Sequence, residues 1–144
     1  MEAPTHLGHT PIIAVNDYDK IDARYADEGT DVRALSIGLA QYRNKSNEKD
    51  KEISLKIWRH PKGRWSPQSE EMPLSRCLDL SILLLGALMT DVPQKYPQTS
   101  LRETIVDSEK VKYIMEYYSR YKHYLNPRLI ELKNRLDDFI ESQK

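Results

Sequence analysis

Residues Glu52-Ile53-Ser54-Leu55-Lys56-Ile57-Trp58-Arg59 alternate apolar and polar side chains with period two, the mark of a half-buried strand. The alternation predicts Ile53, Leu55 and Ile57 inward, with Glu52, Ser54, Lys56 and Trp58 outward. His60-Pro61-Lys62-Gly63 follows, with Pro second and Gly fourth as in a type I turn, and predicts a hairpin returning through Arg64-Trp65-Ser66. In that register Arg59 opposes Arg64, and Trp58 opposes Trp65.

Toward the N-terminus, Val32 to Arg43 places Leu35, Ile37 and Leu39 on one face and Ala34, Ser36, Gly38 and Ala40 on the other. This is a strand with one crowded side and one very small side, against which something is expected to lie close. Ile12-Ile13-Ala14-Val15 reads as a short buried strand after a loose lead-in over residues 1–11. Asn44 to Lys51 is a polar connector, so residues 12–66 form a β-meander.

Toward the C-terminus, Pro73 suits a first helical position, and Leu74, Cys77, Leu78, Ser81, Ile82 and Leu85 follow at helical steps. A buried core helix over residues 72–90 is expected. Asp91 to Thr99, with Pro93 and Pro97, reads as a stiff linker. Ser100 and Glu103 have capping-box spacing, and Ser108 is a second cap candidate. Ile114, Met115, Tyr118, Tyr121 and Leu125 share a stripe, Asn126-Pro127 stops it, and Leu129, Leu132, Leu136 and Phe139 resume it. The expected fold class is α+β in a single domain over residues 1–144: a small antiparallel sheet of three to four strands packed on a buried helix, followed by a C-terminal helical hairpin over residues 100–142.

The chain has 144 residues, 39% apolar and 31% charged, which suits one packed core. Lys plus Arg equal Asp plus Glu at 22 each, so no global field favours nucleic acid or an anionic membrane, and any anion site must be local. The one cysteine, Cys77, excludes an internal disulfide and a thiolate metal cluster. The start lacks a signal-peptide pattern, and the apolar run Ile82 to Met89 falls far short of the ~20 residues of a membrane span, so a cytoplasmic location is expected.

Chemistry concentrates in Trp58, Arg59, His60, Lys62, Arg64, Trp65, Ser66, Gln68, Ser69 and Arg76, with four basic side chains, a histidine and two indoles in one hairpin and helix entry. Arginine forks match phosphate or carboxylate, and an indole offers a stacking face, so this is the make-up of a site for a planar anion. Facing arginines at 59 and 64 need an anion or an acidic partner between them, and Glu70 or Glu71 could be that partner internally. A second cluster, Asp22, Arg24, Tyr25 and Asp27, lies between the first two strands, where Arg24 and Tyr25 can converge on the same site and the carboxylates make turn hydrogen bonds. There is no phosphate loop, dinucleotide glycine pattern, nucleophile elbow or helical histidine pair, and no catalytic residue, metal or cofactor is assigned. Asp50, Glu52 and Lys56 match the carboxylate and lysine set of metal-dependent nucleases only faintly, and His6, His9 and His123 read as isolated surface side chains. Tyr113, Tyr117, Tyr118, Tyr121 and Tyr124 exceed what one buried stripe holds, which points to a homo-oligomer through the Tyr-rich helices.

Asp22-Ala23-Arg24-Tyr25-Ala26-Asp27, Leu35-Ser36-Ile37-Gly38-Leu39-Ala40-Gln41, Ile57-Trp58-Arg59 and Trp65-Ser66-Pro67-Gln68-Ser69-Glu70-Glu71 resemble a family of small bacterial and phage proteins of unassigned function, over residues 5–80. The resemblance implies a common site and transfers no catalytic residue. The Tyr-rich helices after Pro97 depart from it. The expected function is a non-catalytic binding protein that captures a small anionic, nucleotide-like ligand, in its sharpest form a phage-encoded sponge for an immune nucleotide signal. The alternatives are a protein-interaction module that binds a host protein through the basic hairpin or the tyrosine helix, and a nucleotide-processing enzyme using His60, Glu70 and Glu71.

Overall fold

A computed structural model describes residues 1–42, 51–67, 69–90 and 97–144. The fold is α+β, as expected: an antiparallel sheet of β1 (Thr10–Val15), β2 (Val32–Leu39), β3 (Ile53–Arg59) and β4 (Glu71–Pro73) in that spatial order, then α1 (Leu74–Leu88) and the long α2 (Val111–Ser142). The chain divides into two compact units, Met1–Leu80 and Ser81–Lys144.

In the first unit β2 pairs with β3 over Leu35↔Ile57, Ile37↔Leu55 and Leu39↔Ile53, and β1 joins through Val15↔Leu35 and Ile13↔Ile37. The alternation is therefore real, but the covered face is the opposite of the expected one. Ser54 and Trp58 of β3 are fully buried, as are Ala34 and Ala40 at the two ends of the β2 stripe, whereas Ile53, Leu55 and Ile57 are only half-buried. The physical reason is volume. Trp58 sits opposite Ala34 and Ser54 opposite Gly38, so the small stripe of β2 leaves the room that an indole needs. Period two separates the faces without naming the covered one.

Gly38 also lets the chain come close: a Cβ there would lie 2.1 Å from the Thr10 carbonyl oxygen and 2.8 Å from Pro11 Cα, where β1 carries a register shift. β1 is an edge strand with Ile12 63% and Ile13 69% exposed, so the expected burial of residues 12–15 is corrected. Residues ahead of it hydrogen-bond back, with Ala3 N donating to Asn16 Oδ1 at 2.9 Å and Asp17 N to the Met1 carbonyl at 3.0 Å.

The expected return strand through Arg64-Trp65-Ser66 is also corrected. Pro61–Gly63 form a short 3-10 turn with Lys62 at φ 52°, and the return is linked by the backbone bond from Ser66 N to Arg59 O at 2.8 Å rather than by a strand ladder. The fourth strand is β4 instead, pairing Leu55 with Met72 and Lys56 with Glu71. Pro73 thus ends a strand and α1 starts at Leu74.

Gly86 is the only buried residue of α1, and Leu78, Leu80 and Ile82 to Leu85 are exposed in the single chain. In the second unit a Cβ on Gly86 would meet Thr99 Cγ2 at 2.8 Å, so glycine admits the Thr99 to Glu103 turn. There Glu103 accepts from Thr99 Oγ1 at 2.6 Å and from Gln98 N at 2.7 Å, bonds that, the Thr99 hydroxyl's first, hold its carboxyl below the usual range. The cap role expected of Ser100 falls to Thr99, and no helix starts there. Before α2, Asp107 rather than Ser108 provides the cap, accepting from Glu109 N at 3.2 Å.

The expected hairpin is a single 32-residue helix that runs through Pro127. Pro127 removes one backbone donor, and the axis is disturbed at Tyr121 (φ −114°, ψ 15°) without ending. The Tyr118 hydroxyl hydrogen-bonds Asn126 Oδ1 across that region. Among the described residues no helix is long and apolar enough to cross a membrane. The linker over residues 91–96 and the connector over residues 43–50 lie outside the described residues.

Candidate functional site

The loop from β1 to β2 folds as two 3-10 turns, Tyr18–Lys20 and Ala23–Ala26. Asp22 anchors it by accepting from Thr30 Oγ1 at 2.7 Å, and Thr30 Oγ1 in turn accepts from Val32 N at 3.1 Å. This is the carboxylate turn role expected of Asp22. Arg33 closes the loop base, donating to the Thr30 carbonyl at 2.8 Å and standing 3.5 Å from Asp19. The folded loop walls a cleft of about 600 Å³, with Tyr18, Tyr25, Asp22 and Glu28 on the loop side and Asp31 and Arg59 on the strand side.

Arg59 is the cation of this cleft, and its charge is answered within the chain. Nη1 donates to Asp31 Oδ1 at 2.6 Å, while Nε and Nη2 grip Glu70 at 3.0 and 2.9 Å. Those hydrogen bonds, Glu70's first, raise the guanidinium above its ordinary value and hold the Glu70 carboxyl below its own. The partner foreseen between Arg59 and Arg64 is therefore Glu70, joined by Asp31, which sequence spacing did not flag. Tyr25 is 42% exposed with the Arg24 guanidinium 4.7 Å from its ring centre, so Arg24 covers part of a ring that still reaches solvent.

Among the described candidate ligand-binding residues, Tyr25 and Arg59 line the cleft, with Arg24 beside Tyr25. Trp58 is 1% exposed and its ring belongs to the core, which corrects its assignment as a stacking platform. Trp65 packs edge-on to Trp58 at 5.7 Å and to His60 at 4.8 Å, realising the expected indole pair as packing. Ser69 Oγ accepts from Arg59 N at 3.0 Å and donates to the Ser66 carbonyl at 3.0 Å, so both serines shape the turn. Lys62, Arg64 and Arg76 are exposed and do not line the cleft, and Gln68 lies outside the described residues. The enzyme set is likewise dispersed: His60 packs on Trp65, Glu70 serves Arg59, and Glu71 hydrogen-bonds Ser54 on the other side of the sheet.

That other side holds a feature the sequence did not disclose. His9, expected at the surface, is fully buried between Ser54 (Nδ1 to Oγ, 2.9 Å) and Ser36 (Nε2 to Oγ, 3.0 Å). Trp58 Nε1 donates to Ser36 Oγ at 2.9 Å, and Ser54 Oγ donates to Glu71 Oε2 at 2.7 Å. The donors run in one direction: Trp58 N–H to Ser36, Ser36 O–H to His9 Nε2, His9 Nδ1–H to Ser54, Ser54 O–H to Glu71. That order assigns the neutral, Nδ1-protonated imidazole. Burial lowers the His9 pKa, opposed by Glu71 and assisted by Lys56, whose Nζ lies 4.0 Å from Glu71. Lys56 is itself shifted down by burial, and its Nζ stands 4.3 Å over the Trp58 ring. With His9 at 0% and Ser36 at 6% exposure no substrate reaches this chain of groups, so it is a packing hub. The legible signal was the small stripe at residues 34 to 40, which had to be filled by something large.

Among the described residues no group of three or more His, Cys, Asp or Glu is placed to hold a metal ion. The cleft can accept hydrogen bonds at Asp22, Glu28 and Asp31, donate from Arg59 and the tyrosines, and offer an aromatic ring. Comparison with curated proteins and with solved structures finds no match. The model of a family of unknown function, DUF6530, matches residues 1–106, the stretch that carries the sheet, the cleft and α1, and the chain belongs to that family.

Proposed function

We propose that the chain is a non-catalytic binding protein that takes a small nucleotide-like ligand in the cleft of Tyr25 and Arg59. The observation that carries the reading is the make-up of that cleft: about 600 Å³ with a solvent-accessible tyrosine ring, three carboxylates and one guanidinium. A nucleobase satisfies it, stacking on Tyr25 and offering ring and amino N–H groups to Asp22, Glu28 or Asp31. An anionic portion meets Arg59 by exchanging with Glu70, whose side chain is 43% exposed and has solvent to swing into. The acidic surround makes the base the main recognition element and the phosphate secondary. The phage-encoded sponge for an immune nucleotide signal is the most specific form of this reading, and rests on the resemblance to phage proteins.

Thermal shift against nucleosides, cyclic dinucleotides and ADP-ribose derivatives tests it, since a ligand at a hundredfold excess over its Kd adds ~2.7 kcal/mol. A shift that disappears in Tyr25→Ala and shrinks in Arg59→Gln is the expected result. A panel with no shift, or a shift unchanged in both variants, overturns the reading. Recovery of the ligand chemically altered after incubation would replace it with the enzyme alternative. The interaction-module alternative draws on the exposed Arg64 of the basic hairpin and the exposed tyrosines of α2, and predicts a host protein retained by the wild-type chain and lost with Arg59→Ala and Arg64→Ala together.

A further inference from the structure

The apolar seam of α2 has a centre. Val111, Ile114, Tyr118 and Tyr121 approach Leu125 at steps of 3, 4, 3 and 4 residues, and Leu129, Leu132, Leu136 and Phe139 leave it at 4, 3, 4 and 3. Two successive steps of four interrupt the heptad at Leu125 and mark it as the midpoint. Turned end over end about that residue, the helix lays Leu125 on itself, Tyr121 on Leu129, Tyr118 on Leu132, Ile114 on Leu136 and Val111 on Phe139. The end of the seam is exposed, with Leu132 47%, Leu136 51% and Phe139 62% accessible. From Ile114 and Tyr118 through Leu125 to Leu129 and Leu132 the seam borders an open apolar cleft of about 540 Å³, which Leu84 and Leu88 of α1 help to line.

We infer that this seam pairs antiparallel with α2 of a second copy of the chain, about a two-fold axis through Leu125. The charges flanking the seam choose the direction. In a parallel pair the residue before one seam position meets the residue after another, which sets Arg128 against Lys133 of the other copy. In the antiparallel pair the residues that precede seam positions share one edge. Tyr117 then faces Arg135 of the other copy, and Tyr124 faces Arg128. Each is an arginine on an aromatic ring. This gives Tyr117 and Tyr124, which the seam itself does not hold, a place in the pair. Antiparallel packing also sets opposite helix dipoles side by side.

The area is sufficient. From Val111 to Phe139 the helix is about 42 Å long at ~1.5 Å per residue, and a strip about 12 Å wide on both copies covers roughly 1,000 Å², the floor for a specific interface. Dimerisation is therefore expected to depend on concentration.

Light scattering on the full chain at high micromolar concentration tests the pairing, with an expected mass of twice 16.9 kDa that falls on dilution. A single-chain mass there overturns it and leaves the groove to another partner. Oxidative cross-linking in a Cys77→Ser background tests the direction. Leu125→Cys alone is expected to give a disulfide-linked dimer, Leu132→Cys alone none, and Leu132→Cys mixed with Tyr118→Cys a dimer again. Equal self-linking at positions 125 and 132 would mean a parallel pair and overturn the antiparallel one. Leu136→Asp is expected to raise the dissociation constant more than tenfold with an unchanged circular dichroism spectrum.

Discussion

His9 is held neutral by full burial between two hydroxyl partners, and that makes it a pH-dependent residue. Its folded pKa lies below the ordinary value of 6.5, chiefly through burial. The unfolded chain therefore takes up a proton first as pH falls, and the contribution of His9 is fully present above about 6.5 and lost on acidification toward the folded value. Urea denaturation at pH 8 and pH 5.5 should show lower stability at the acid end, and His9→Asn should flatten that part of the profile. The same variant should cost about 1–3 kcal/mol at pH 8, because the Ser36 and Ser54 hydroxyls lose a buried partner. Equal pH profiles for the two proteins would show that His9 does not govern the acid limb. Nothing in the spacing of Gly8-His9-Thr10 distinguished this histidine from His6, which is exposed as expected.

Within the sheet, β1 and β2 approach at Gly38 more closely than any side chain allows. Gly38→Ala places a Cβ against backbone atoms of Thr10 and Pro11, which cannot rotate aside as a side-chain tip would. The expected cost is about 1–3 kcal/mol, read from the denaturation midpoint, with faster amide exchange confined to β1. A neutral substitution would mean that β1 shifts freely at its bulge. The strands themselves were legible, because Val32 to Leu39 and Ile53 to Arg59 alternate cleanly. The helical hairpin was not realised. Pro127 is a strong local stop, but its ring holds φ near the helical value, so α2 continues past it with the loss of one backbone donor.

Over the whole molecule the net formal charge is zero and the isoelectric point is about 6.9, so repulsion between copies vanishes near neutrality. The chain also exposes apolar residues of β1, of α1 and of the end of α2. Solubility should pass through a minimum near pH 6.9 and rise toward pH 9, where carboxylates outnumber cations. Precipitation by polyethylene glycol across pH 5.5 to 9 measures this, and a flat profile would mean that apolar contact rather than charge limits solubility. A neutral balance also agrees with a cleft that neutralises its one arginine internally.

The order of amino acids alone determined the α+β class, the meander of β2 and β3, and the crowded and small faces of β2. These follow from local periodicity and turn chemistry, which any window of the chain displays. Only the tertiary structure decided which sheet face is covered, because that depends on whether the small stripe of one strand meets the large side chain of its neighbour, as Ala34 meets Trp58. Only it paired Arg59 with Asp31 across 28 residues, leaving the remaining basic hairpin residues outside the cleft. It also turned His9 from surface to core. Charges and hydrogen-bonding groups carry no address along the chain. Their partners are set by the register of strands far apart in sequence, and with them the site.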